Sequence, residues 1–111
     1  MSSRAEALLW GAQRLTAVVL AFAVVVHLGT IVYAVRGGLS AADILGRTQG
    51  SAFWYWFYNV FVAAAAVHAP IGLRTVLLEW TRWSGVSLNI AMGLLAVFLA
   101  VFGWRAVGGL V

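Results

Sequence analysis

Three stretches of this chain run for about 20 residues or a little more with almost no charge, and they account for most of its length. They extend from Leu15 to Val35, from Phe53 to Leu78 and from Val86 to Val107. A hydrocarbon core about 30 Å thick takes roughly 20 mostly apolar residues of helix, rising about 1.5 Å per residue. The expectation is an all-α integral membrane protein with three transmembrane helices, forming a single domain over residues 1–111 with spans at about 15–35, 53–78 and 86–107. So little chain remains outside these spans that no soluble catalytic domain fits.

Composition narrows the chemistry. The chain is 64% hydrophobic and 9% charged, against about 45–50% apolar and about 25% charged in an ordinary soluble domain. Its basic residues are all arginines, scattered rather than blocked, which excludes a nucleic-acid grip despite the net charge of +4. There is no cysteine, so an iron–sulfur cluster, a disulfide or a thiolate nucleophile cannot come from this chain. The first apolar run is longer than the roughly 7–15 residues of an export signal's apolar region and reads as a retained span.

Along the chain, Met1 to Arg14 mixes Arg4, Glu6, Gln13 and Arg14 with Leu8, Leu9 and Trp10, suiting a short amphipathic segment at the interface. Arg36, Gly37 and Gly38 close the first span. Ser40 followed by Asp43 reads as the start of a short surface helix. The aromatic run from Phe53 to Tyr58 and the Glu79 to Trp83 segment belong at the two headgroup levels, and Ser84 with Gly85 makes the turn into the third span. The termini then lie on opposite sides. Arg4, Arg14, Arg74 and Arg82 on one side against Arg36, Arg47 and Arg105 on the other leave orientation nearly balanced under the positive-inside rule.

Two histidines stand inside spans, where an ionisable side chain is costly and points to function. His68 has Ala64 and Ala65 one turn before it and Gly72 one turn after, a face stripped of bulk on which something flat could lie. A neutral imidazole there is a good axial ligand for haem iron. It is equally a group that hydrogen-bonds a neighbouring helix across a close small-residue contact. Pro70 in the same helix frees the Ala66 carbonyl and shapes packing near His68. Arg74 and Glu79 mark the polar end, either as anchors or, for Arg74, as the partner of a haem propionate or of a neighbouring chain. His27 is the other candidate iron ligand. It lies thirteen residues beyond Arg14, about 20 Å deeper. If the second span's interface is at Glu79 the two histidines share a depth; if it is at Arg74 they are about 11 Å apart.

The run His68-Ala69-Pro70-Ile71-Gly72-Leu73-Arg74, followed by Thr75-Val76-Leu77-Leu78-Glu79-Trp80, resembles the signature of the succinate dehydrogenase and fumarate reductase membrane anchors. There a His, three residues and a Gly are followed by an acidic residue and a Tyr. Arg14-Leu15-Thr16 before the first span and the order of spans match as well. The resemblance implies that His68 is an axial ligand of haem b, paired with a histidine of a second membrane-anchor chain, and that Arg14 lies near a propionate. It places Trp80 where the family has a quinone-binding tyrosine; an indole N–H can donate to a quinone carbonyl but lacks the phenol's acidity. His27 matches no motif of the family's first span.

The function expected on this basis is a haem b- and quinone-binding anchor subunit, non-catalytic alone. It would hold a flavoprotein and an iron–sulfur subunit on the lipid membrane and pass electrons to or from ubiquinone or menaquinone. The resemblance implies a bacterial cytoplasmic membrane, with the N-terminus on the cytoplasmic side. A haem-free structural anchor of a respiratory enzyme is the alternative. A small multidrug transporter is disfavoured, since those proteins have four spans and a membrane-embedded glutamate, whereas Glu79 lies at an interface.

Overall fold

The computed structural model describes residues 2–111, which form the helices α1 (Ser3–Arg36), α2 (Ala41–Thr48), α3 (Ala52–Trp80) and α4 (Val86–Leu110). Three of them, α1, α3 and α4, are long and apolar enough to cross a membrane. This is the all-helical, three-span architecture that the apolar runs require, and the chain is an integral membrane protein.

Helix α1 begins where Ser2 Oγ accepts from the Ala5 amide, with Glu6 in the positive first turn. Its 34 residues rise about 51 Å, well beyond a hydrocarbon core of about 30 Å. The segment expected to lie apart at the interface is, from Ser3 onward, continuous with the span. No proline interrupts it, so once the first turn is capped each further residue adds a hydrogen bond at little cost. The helix ends at Gly37, whose amide donates to Tyr33, and Gly38 turns the chain at φ +63°.

Helix α2 starts at the expected place. Ser40 Oγ accepts from the Asp43 amide while Asp43 Oδ2 accepts from the Ser40 amide, a reciprocal capping box. At its far end Thr48 Oγ1 donates to the Leu110 carbonyl at 2.7 Å, satisfying one of the orphan acceptors at the end of α4. Helix α2 is thereby fastened to the C-terminal end of the bundle, beside the end of α1.

Helix α3 packs against both α1 and α4 and forms the middle of the bundle. Close approach is carried by small residues: Ala64 and Ala66 are buried in α3 and Ala23 in α1. A Cβ placed on Gly103 would come within 2.6 Å of Val62 Cγ1, so α4 meets α3 there through bare backbone. Helix α3 continues through Pro70, which is itself buried. Few side chains are buried, Leu88 completely, while Phe22, Val25 and Leu94 among many others face outward. Hydrocarbon solvates such side chains as well as a protein core does, so packing and polar contacts rather than burial of oil hold the helices together.

Candidate functional site

Residues three and four apart on a helix share a face. On α1 this brings Glu6, Leu9, Trp10, Gln13 and Ala17 into one stripe, and on α3 His68, Ile71, Gly72 and Thr75 into another. The two stripes meet. Together with Arg14 they line a cavity of about 570 Å³ in the groove between α1 and α3.

His68, half-buried, is tied to α1: its Nδ1 lies 3.1 Å from Thr16 Oγ1. Its other ring nitrogen makes no hydrogen bond among the described residues. One turn further along α3, Gly72 offers bare backbone; the contact that its missing Cβ would make with another helix, among the described residues, is with the flexible Gln13 amide, Nε2 at 3.1 Å. Gln13 Oε1 is buried and has no hydrogen-bond partner among the described residues. The Arg14 guanidinium sits over the Trp10 ring at 5.5 Å, placing a cation at the edge of the same cavity.

These features fit a haem. The donor is an imidazole nitrogen, the glycine leaves room for a flat ring, and Arg14 supplies a charge for an acidic substituent. The orphan Gln13 oxygen is a polar group still wanting a donor, as a site that completes itself on a ligand would leave. Among the described residues no three His, Cys, Asp or Glu side chains come together.

The remaining candidates lie elsewhere. Arg74 Nε donates to Asn89 Oδ1 at 2.9 Å and Nη2 to Glu6 Oε1 at 3.0 Å, so its guanidinium joins α1, α3 and α4 and does not line the His68 cavity. Trp80, the last residue of α3, is 82% exposed. His27 faces a second cavity of about 570 Å³ near α2, where its Nδ1 is 3.4 Å from the Tyr58 hydroxyl and the Tyr58 and Phe61 rings meet it edge-on.

His68 is level with Thr16, and His27 lies eleven residues further along α1, about 16 Å along the helix. In the folded chain the two histidines are separated in depth by more than the roughly 11 Å of the wider sequence reading, and a single iron cannot reach both rings. Thr16 belongs to the Arg14-Leu15-Thr16 match, whereas Glu6, Trp10 and Gln13 on α1 and Thr75 on α3 are further residues that the fold brings to the site. The signal that finds them is the helical spacing of the polar and indole side chains before the first span, which continues the face of α1 that meets α3.

A family model described as succinate dehydrogenase/fumarate reductase transmembrane subunit matches residues 1–104. Curated proteins and solved structures gave no match. Since that match runs from before α1 nearly to the end of α4 and takes in Arg14, His68 and Gly72, the chain belongs to the succinate dehydrogenase/fumarate reductase transmembrane subunit family, as one of its membrane anchors.

Proposed function

We propose that this anchor binds haem b through His68 and contributes to a quinone site at the same end of the bundle, within a complex that also contains a flavoprotein, an iron–sulfur subunit and a second anchor chain. The observation that carries the reading is the unengaged nitrogen of His68 beside the bare backbone of Gly72, in a cavity edged by Arg14. Bound there, haem would supply a one-electron redox centre whose potential depends on its axial ligands and burial. His68 would provide one ligand, and the second would come from the partner anchor, since His27 is too far along α1. Arg14 would hold a propionate by charge-assisted hydrogen bonds.

The electron source would lie in the partner subunits, because this chain has no cysteine with which to hold a cluster. Trp80 stands exposed at the end of α3, where its indole N–H is free to meet a quinone carbonyl or a docked subunit. Arg74 acts in this reading as the clamp of the three helices rather than as a haem contact. We assign the His68 end, with the N-terminus, to the cytoplasmic side of a bacterial inner membrane, where soluble subunits would dock.

A second reading, a haem-free anchor, draws on the same contact: His68 bonded to Thr16 across a small-residue interface is also a packing device. The deciding experiment is a dithionite-reduced minus oxidised spectrum of the detergent-purified complex, with the natural chain, His68→Ala and His27→Ala. The proposal expects a b-type band that vanishes with His68 and persists without His27. A natural complex with no such band leaves the haem-free anchor standing.

A further inference from the structure

A histidine ligates iron only through a nitrogen that carries no proton, and the group touching the other nitrogen decides which one that is. For His68 that group is the Thr16 hydroxyl, 3.1 Å from Nδ1. A hydroxyl has one proton to give. Thr16 Oγ1 lies 2.8 Å from the Ala12 carbonyl and 3.2 Å from the Gln13 carbonyl, both closing the back-bond that threonine makes inside helices.

Two carbonyls compete with the imidazole for the hydroxyl proton, and the nearer one is at the shorter distance of the three. A carbonyl can only accept. With the proton directed to Ala12, the Thr16 oxygen presents a lone pair to His68, and the 3.1 Å contact is a hydrogen bond when Nδ1 carries the hydrogen. The other arrangement takes the hydroxyl proton from both carbonyls and leaves it on a contact longer than the one given up.

We infer that Thr16 is a positioning residue that holds His68 in its Nδ1–H tautomer and so keeps Nε2 unprotonated and able to bind iron. This rests on the reading of His68 as a haem ligand and adds to it a mechanism for preparing the ligand before the group arrives. The anchoring point is well chosen physically. Thr16 sits on a different helix from His68, so the bond also fixes the ring's rotation relative to α1, and its back-bonds to Ala12 and Gln13 hold the hydroxyl itself in place. Because threonine is neutral, the acceptor orients the ring without driving it towards the imidazolate, as a carboxylate would tend to do.

The test uses Thr16→Val, which keeps the branched shape and removes the acceptor, and Thr16→Ser, which restores it. In the full chain labelled with ¹⁵N-histidine in detergent micelles, two-bond ¹H–¹⁵N correlations report each ring's tautomer, and His27→Gln clears the second set of signals. The natural chain and Thr16→Ser should show His68 as Nδ1–H. Thr16→Val should lose that form. In the purified complex the same substitution should weaken haem retention by about 10–100-fold and shift the midpoint potential, with Thr16→Ser close to the natural chain.

An Nε2–H ring in the natural chain, or a tautomer and potential unmoved by Thr16→Val, would overturn the inference. The tautomer measurement needs no haem. A complex without a b-type band would therefore sink the ligand reading while the NMR result still decides what Thr16 does.

Discussion

Glu6 Oε1 accepts from Arg74 Nη2 at 3.0 Å, joining two residues 68 positions apart in sequence. The contact places the fourth residue of α1 level with the sixth residue after His68 on α3. It agrees in depth with the Thr16–His68 contact on the same pair of helices, so the two contacts belong to one register of α1 against α3.

Arg74 should matter far more than Glu6. Its side chain is 12% exposed against 50% for Glu6, and it also bonds Asn89. Arg74→Ala leaves the half-buried Asn89 oxygen unpaired, and thermal unfolding in detergent should show a loss of about 1–3 kcal/mol. Glu6→Ala removes only a half-solvated partner and should cost less than about 1 kcal/mol. Equal effects from the two substitutions would contradict the clamp.

Gly103→Ala should weaken the α3–α4 contact, because its Cβ would fall 2.6 Å from Val62 Cγ1 and a valine side chain has little rotamer freedom to move aside. Overpacking of this kind costs about 1–3 kcal/mol. Val62→Ala on the same chain should recover most of the loss, a non-additivity that the four melting curves of a double-mutant cycle would reveal.

Gly72 should tolerate alanine in the bare chain, since the atom that the new Cβ would meet on α1, among the described residues, belongs to the flexible Gln13 amide. Gly72→Leu would fill the face beside His68. If haem lies there, that variant should lose the b-type band while its far-ultraviolet ellipticity stays that of the natural helix bundle. A full band in Gly72→Leu would move the haem off this face.

The capping box of α2 should respond to acid in one direction only. Asp43 is held below its ordinary carboxylate value, first by the Ser40 amide, then by the Ser40 hydroxyl, with Arg47 assisting. A depressed folded value means that the carboxylate's contribution is fully present above the unfolded value and is lost as pH falls through the folded one. Amide exchange at Ser40, corrected for its intrinsic pH dependence, should keep constant protection from neutral pH down to about 5 and lose it only below the usual carboxylate range. Asp43→Ala should remove that protection at every pH.

Orientation can be read cleanly because the chain has no cysteine of its own. In intact cells, a membrane-impermeant maleimide should label Gly109→Cys from outside and leave Arg4→Cys unlabelled until the membrane is opened. The reverse pattern would put the His68 end on the outer face and remove the proposed docking side.

Much of the architecture was legible beforehand. Runs of apolar residues long enough to cross a bilayer leave a chain almost no alternative to helices, and Ser40 with Asp43 marked the start of α2 correctly. Composition changes near Arg14, but α1 runs through it without a break, because a change in polarity does not by itself end a helix. The bare face of His68 and Gly72 was visible because both lie on one helix, where spacing alone sets neighbours.

What the sequence by itself determined lay within single helices: which segments span, where α2 is capped, and which small residues share a face with His68. Tertiary structure decided the rest: that Thr16 meets His68, that Arg74 joins Glu6 and Asn89 instead of lining the His68 cavity, and that His27 faces a separate cavity with Tyr58. The reason is geometric. Helical periodicity fixes positions within a helix, but a slide or rotation of one span against another changes every contact between them. Only side chains that lock across the interface select one arrangement.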